Sequence, residues 1–143
     1  MYYGNSFNCG RIRTGRAVLV AISIPIFTSQ LEKSRDAVTL SNLRAAYAQA
    51  QSAYLTQSSD KTTDPTVVYN ATDSGATVVV KKVVSKGQVD GLDGLSELSW
   101  LTVNDQNTLK AKASLGGTAQ EWDITFTYNT DGTITSVTAA KAA

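Results

Sequence analysis

The chain has 143 residues, is 42% hydrophobic and carries a formal net charge of +1, with no histidine and one cysteine. That is the size of one ordinary domain, and near-neutrality excludes the strong basic excess of a dedicated nucleic-acid binder. The missing histidine and single cysteine exclude a His-based zinc site, Ser-His-Asp or Cys-His catalysis, and an internal disulfide.

The average hides an asymmetry. Residues 1–56 sum to +4 and residues 57–143 to −3, and most of the threonines lie in the second part. Thr-rich, cysteine-poor β segments suit an extracellular surface. The expected organisation is a polar and basic segment over 1–16, a long helix over 17–56 and an antiparallel β head over 57–143.

Met1 to Gly10 is polar and shows no regular pattern; Cys9 sits in it and reads as a free thiol. Arg11, Arg13 and Arg16 precede an apolar run from Ala17 to Phe27, broken by Ser23 and Pro25. As a helix that run spans roughly 16 Å, about half a bilayer core, so it does not cross a membrane alone. It has the length of a secretory h-region, but no small-residue cleavage site follows Phe27. Pro25 marks either a helix start or a tolerated kink in a longer helix.

From Phe27 to about Tyr54 there is no Gly or Pro, and Ala, Leu, Gln, Arg and Lys dominate. Leu40, Leu43, Tyr47, Ala50 and Tyr54 form a stripe at spacings of three and four, widened by Ala46 and Ala53. Upstream, Leu31 and Val38 remain, while Glu32 and Asp36 are expected at the surface, pairing with Arg35. One helix thus carries an apolar, a mostly polar and an amphipathic stretch. A helix that packs on other copies at one end and on its own domain at the other has that order.

The stretch Ala21-Ile-Ser-Ile-Pro25-Ile-Phe-Thr-Ser-Gln30-Leu-Glu-Lys-Ser-Arg35-Asp-Ala37, followed by Asn42-Leu-Arg-Ala-Ala-Tyr47, resembles the helix of type IV pilins and pseudopilins. It is most similar to Gram-positive, clostridial-type pilins. The resemblance implies an α+β lollipop: a long N-terminal helix packed on a small antiparallel sheet. It implies filament packing through Val18, Leu19, Val20, Ile22, Ile24, Pro25, Ile26 and Phe27. It also implies a homo-oligomeric filament of like subunits at the cell surface, handled by pilus assembly machinery and anchored in the inner membrane beforehand. A host or surface ligand and DNA are further partners it allows. Residues 1–16 depart from the family: Asn8 stands where the family has a glutamate, and no prepilin-peptidase site is visible. Processing and anchoring like the relatives' are therefore not expected of this sequence. Three arginines at lipid depth would each cost a few kcal/mol.

In the head, Gln57 to Asp64 reads as a loop. Thr66–Tyr69 is a short strand, Asn70–Gly75 a turn, and Ala76–Val84 a strand interrupted by Lys81 and Lys82. Lys86–Gly94 is a loop. Leu95–Val103 suits either a helical turn or a strand, Thr108–Ser114 alternates weakly as a strand, and Gly116-Gly117 is a turn. Trp122, Ile124, Phe126 and Tyr128 alternate with polar residues as a strand with one buried face. Their face is the expected partner of Leu40, Leu43, Tyr47, Ala50 and Tyr54. Asp131-Gly132 signals a hairpin. A two-residue loop sets Val137 opposite Phe126 and a longer one sets Ile134 opposite Tyr128; these registers exclude each other. Ala139–Ala143 reads as a frayed tail.

No catalytic constellation, Walker A pattern or G-x-G-x-x-G is present, so neither an enzyme nor a cofactor is expected. Asp90, Asp93 and Glu97, around Gly91 and Gly94, form a weak Ca²⁺ candidate and otherwise a solvated loop. Lys81, Lys82 and Lys86 are a weak DNA contact and otherwise edge protection. Tyr54 and Tyr69 are expected to fill the core. Within the same class a minor pseudopilin of a secretion or DNA-uptake machine fits the same residues. A small β-rich surface-binding module is the alternative from another class.

Overall fold

A computed structural model describes residues 30–87, 92–113 and 118–143. The chain divides into two units, Met1–Lys33 and Ser34–Ala143. Helix α1 covers residues 30–56, so the first unit enters only through its opening turn. Strands β1 (Val67–Thr72), β2 (Gly75–Ser85), β3 (Gln120–Asn129) and β4 (Ile134–Lys141) form an antiparallel sheet in the order β1-β2-β3-β4. Between β2 and β3 lie a 3-10 turn (Leu95–Glu97) and helix α2 (Val103–Ala113). The class is α+β.

One face of the sheet is apolar, as the period of two demands. Trp122, Ile124, Phe126 and Tyr128 are buried on β3, with Ala76, Val78, Val80 and Val83 on β2 and Val137 and Ala139 on β4. Helix α1 lies across this face. Leu40, Leu43, Ala46, Ala50 and Ala53 are buried in one core with these strands, and Tyr47 and Tyr54 pack against it half-buried. Tyr54 stacks on Tyr128 with ring centroids 4.4 Å apart, and Tyr47 reaches Phe126 at 6.4 Å. The small residues Ala46, Ala50 and Ala53 let the helix backbone approach while the two tyrosines fill the flanks.

The end of α1 is set by the chain itself. Gln57 adopts a left-handed φ of 51°. Its N–H donates to the Tyr54 carbonyl and the Ser58 N–H to the Ala53 carbonyl, both at 3.2 Å. This pair of bonds is a Schellman motif with glutamine where glycine is usual.

Four expectations change. Residues 103–113 are helical, where Thr108–Ser114 was expected to be a strand. The Thr102 hydroxyl bonds the Asp105 carboxylate and accepts from the Asp105 N–H, so the helix begins with a reciprocal cap. Buried Leu109 ties it to the core. The turn expected over Asn70–Gly75 shrinks to Asp73-Ser74, and β1 runs to Thr72. Gly75 accepts the turn with φ 144°, and a Cβ there would lie 2.0 Å from the Tyr128 carbonyl oxygen. The tail is a strand as far as Lys141, because Ala139 is buried opposite Ile124.

Finally, both hairpin registers occur at once. Val137 faces Phe126 and Ile134 faces Tyr128, because an irregularity between Thr127 and Tyr128 inserts one extra residue into β4. A bulge places two residues opposite one, so the faces agree on both sides of it. The Thr135 hydroxyl donates to the Thr127 carbonyl at 3.2 Å there.

Two ambiguous stretches take definite forms. Leu95–Val103 takes the helical option: Leu95, Leu98 and Leu101, three apart, are all buried around the 3-10 turn. The lysine interruption of β2 is a second bulge between Val80 and Val83. Lys82 has φ 59° there, and its N–H donates to Asp123 Oδ1 at 3.1 Å.

Candidate functional site

The filament-packing residues Val18, Leu19, Val20, Ile22, Ile24, Pro25, Ile26 and Phe27, together with Cys9 and Gly116-Gly117, lie outside the described residues. So does Asp90 of the calcium candidate. Its two other members meet α1, Glu97 through its carboxylate and Asp93 through its backbone. Glu97 accepts from Arg44 at 3.2 Å, and the Asp93 N–H reaches the Asp36 carboxylate at 3.4 Å. Among the described residues no group of three acidic or cysteine side chains is placed to hold a metal ion.

The helix-to-sheet residues do come together. Trp100, from the turn before α2, stacks flat on Tyr47 with centroids 5.0 Å apart and meets Phe126 at 5.4 Å. Trp100 thus joins an aromatic cluster that the spacing of α1 alone does not show. The Tyr128 hydroxyl is buried without a hydrogen-bond partner among the described residues. Burial, helped by Tyr47 and Tyr54, pushes it up to about 12. The apolar space beside Leu43, Leu92, Leu109 and Trp122 is about 20 Å³, room for a single water.

Sheet edges determine what such a head can join, because an open edge is a template for another strand. The β1 edge is closed by the loop after α1. The Asp60 carboxylate accepts from the Val67 N–H at 3.0 Å and from the Thr66 hydroxyl, while Asp60 N–H donates to the Val67 carbonyl. The Ser59 hydroxyl accepts from the Tyr69 N–H at 2.8 Å.

Beyond Val80 strand β1 no longer accompanies β2, and α1 takes over with side chains. Asn42 Nδ2 donates to the Val84 carbonyl at 2.8 Å, and Thr39 Oγ1 accepts from the Lys86 N–H at 3.0 Å. Asp36 is therefore buried and turned to the β2–α2 connection, where a surface pair with Arg35 was expected. A capping signal at Thr102-x-x-Asp105 was readable in the sequence. No sequence signal marks Asp36 and Thr39 as buried or Asn42 as half-buried, because the backbone groups they meet across the fold are more than forty residues away.

Two grooves flank α1 on this side. One of about 320 Å³ runs between Asn42, Ala45, Gln49 and Lys81–Val84. The other, about 310 Å³, runs between Gln49, Ser52, Thr56 and Ser58–Asp60. They share Gln49 and Thr66; valines, alanines and lysines line most of the first, and small polar residues most of the second. Of the basic residues there, Lys82 pairs with Asp64 at 3.6 Å.

The opposite face of the sheet carries hydroxyls in rows. Val68, Val79, Thr125 and Thr138 form one, and Asn70, Thr77, Thr127 and Ser136 the next. No described helix is long and apolar enough to cross a membrane. Comparison with protein-family models, curated proteins and solved structures gave no match.

Proposed function

We propose that this chain is a structural subunit of a bacterial type IV pilus. It polymerises through the N-terminal part of its helix and displays the β head on the filament surface. The order and spacing of Ala21–Ala37 and Asn42–Tyr47 support the reading, as does an α+β unit in which the helix continues onto a four-stranded antiparallel sheet.

One observation carries it. The second unit completes its own core with its own residues: the Leu40–Tyr54 stripe covers the apolar sheet face, and the other face is rich in hydroxyls. On this reading the apolar Val18–Phe27 run buries its side chains against sister subunits, and in the inner membrane before assembly, since burial of apolar area drives association. Assembly machinery would act on that segment, and the hydroxyl-bearing face and loops would meet a surface ligand.

The test uses the full chain. Detergent is removed and assembly is followed by sedimentation and electron microscopy for the natural sequence, Ile24→Asp and Phe27→Asp. Filaments from the natural chain, lost in both variants with the melting temperature of the head unchanged, are expected. A monomeric natural chain, or variants that unfold the head, would overturn the proposal.

A further inference from the structure

We propose that Asn70 is an N-glycosylation site, the acceptor of an oligosaccharide carried on an isoprenoid diphosphate. Of the seven asparagines in the chain, Asn70 alone is followed two positions on by Ser or Thr, in Asn70-Ala71-Thr72. That spacing is the acceptor pattern for asparagine-linked glycans, and it requires surface placement.

The fold supplies that placement. Strand β1 is at the edge of the sheet, and Asn70, Ala71 and Thr72 are all exposed at its end. They run directly into the Asp73-Ser74 turn. Asn70 pairs with Thr77 and Thr72 with Gly75, on the sheet face opposite α1. The period of two puts the Asn70 amide and the Thr72 hydroxyl on the same side, where one transferase site can grip both. The closure of the β1 edge stops short of this stretch, since Ser59 and Asp60 bind Thr66, Val67 and Tyr69. Two other asparagines are tied down: Asn42 donates to the Val84 carbonyl, and Asn129 accepts from the Thr133 N–H. Asn70 has no such tie among the described residues, so a glycan there disturbs neither core nor register.

The step balances with the donor named. The Asn70 amide nitrogen forms a bond to the anomeric carbon of the first sugar. The bond from that carbon to the diphosphate oxygen breaks, and its electron pair leaves with the lipid diphosphate. One amide proton passes to a base of the transferase. Nothing is oxidised or reduced. The proposal rests on the cell-surface reading above, because such donors are presented outside the cytoplasm.

The experiment incubates the folded full chain with a membrane oligosaccharyltransferase and its lipid-linked oligosaccharide. A peptide containing Asn-Ala-Thr serves as the positive control, and the products are read by intact mass and peptide mapping. One glycan on the natural chain is expected, with Thr72→Ser retaining it. Asn70→Gln and Thr72→Ala should abolish it, both with unchanged melting temperature. A bare natural chain beside a modified control peptide, or an adduct that survives Asn70→Gln, would overturn the proposal. Filament assembly of the same samples separates the two readings: a bare chain that assembles sinks only the glycan site, and a glycosylated chain that never assembles sinks only the filament.

Discussion

The two halves of α1 are buried by different physics. From Leu43 to Tyr54 the buried side is alanine, leucine and tyrosine against Phe126 and Tyr128. From Asp36 to Asn42 it is largely polar: Asp36, Thr39 and Asn42 meet backbone groups of Asp93, Lys86 and Val84, at the end of β2 and in the connection that follows it. Apolar burial is non-directional and scales with area. Polar burial is directional, contributes little net energy per bond, and is costly when a partner is lost. The first half therefore fixes where the connection lies, and the second supplies most of the cohesion.

The largest test of this contrast is in the apolar half. Leu43→Ala should cost about 2–5 kcal/mol, read as a fall in the denaturant midpoint of the whole head. A loss well under 1 kcal/mol would mean that the stripe is not its main cohesive element.

In the polar half, Thr39→Val leaves the Lys86 N–H without its acceptor and should cost about 1–3 kcal/mol. Its signature is local: amide exchange at Lys86 should quicken more than exchange in β3. Uniform acceleration across the head would show that the two halves are one cooperative element.

The Schellman motif sharpens the comparison from the far end of the helix. Gln57→Gly should raise stability by about 1 kcal/mol, because glycine adopts the left-handed conformation without strain. A decrease would show that the Gln57 side chain matters more than its backbone.

Alkali tests the aromatic half alone. Tyr128 is raised to about 12 in the fold from its ordinary value of 10.0. The folded state then holds a proton that the unfolded chain releases, so stability is full below pH 10 and falls as pH rises toward 12. Tyr128→Phe should flatten that limb. A smaller effect of opposite sign is expected at the hairpin, where hydrogen bonds from Thr133 hold the exposed Asp131 carboxyl below its ordinary value. Its contribution is present above the unfolded value and lost in acid, and Asp131→Asn should remove that acid dependence. Smallest of all, Arg44→Ala breaks the exposed pair with Glu97 and should change stability by about 0–1 kcal/mol.

Legibility in the sequence followed the range of the cause. The α1 stripe and the alternation of Trp122–Tyr128 were readable because each is a local period, 3.6 or 2, written by the residues themselves. The head of α2 was also written locally, in Thr102 and Asp105, but the weak alternation of Thr108–Ser114 obscured it. The β3–β4 register was not readable. Both pairings are locally sound, and only a bulge, a property of two strands together, lets them coexist. Asp36 looked like a surface residue, and Thr39 and Asn42 carried no signal, for the same reason: a polar side chain shows its burial only through its partner. Trp100 gave no periodic signal, since its place over Tyr47 depends on how the connection returns across the helix.

The sequence by itself determined the helix, the strongest strand, the turn chemistry at Asp131-Gly132 and the Asn-Ala-Thr pattern at 70–72. Each is decided within a few residues by propensity, period or backbone freedom. Tertiary structure alone decided which polar groups are buried, where the strands slip past one another, how the sheet edges are closed and that Asn70 stands at an exposed edge. These are relations between segments tens of residues apart, fixed only when hydrogen-bonding groups that leave water must find partners in the same small volume.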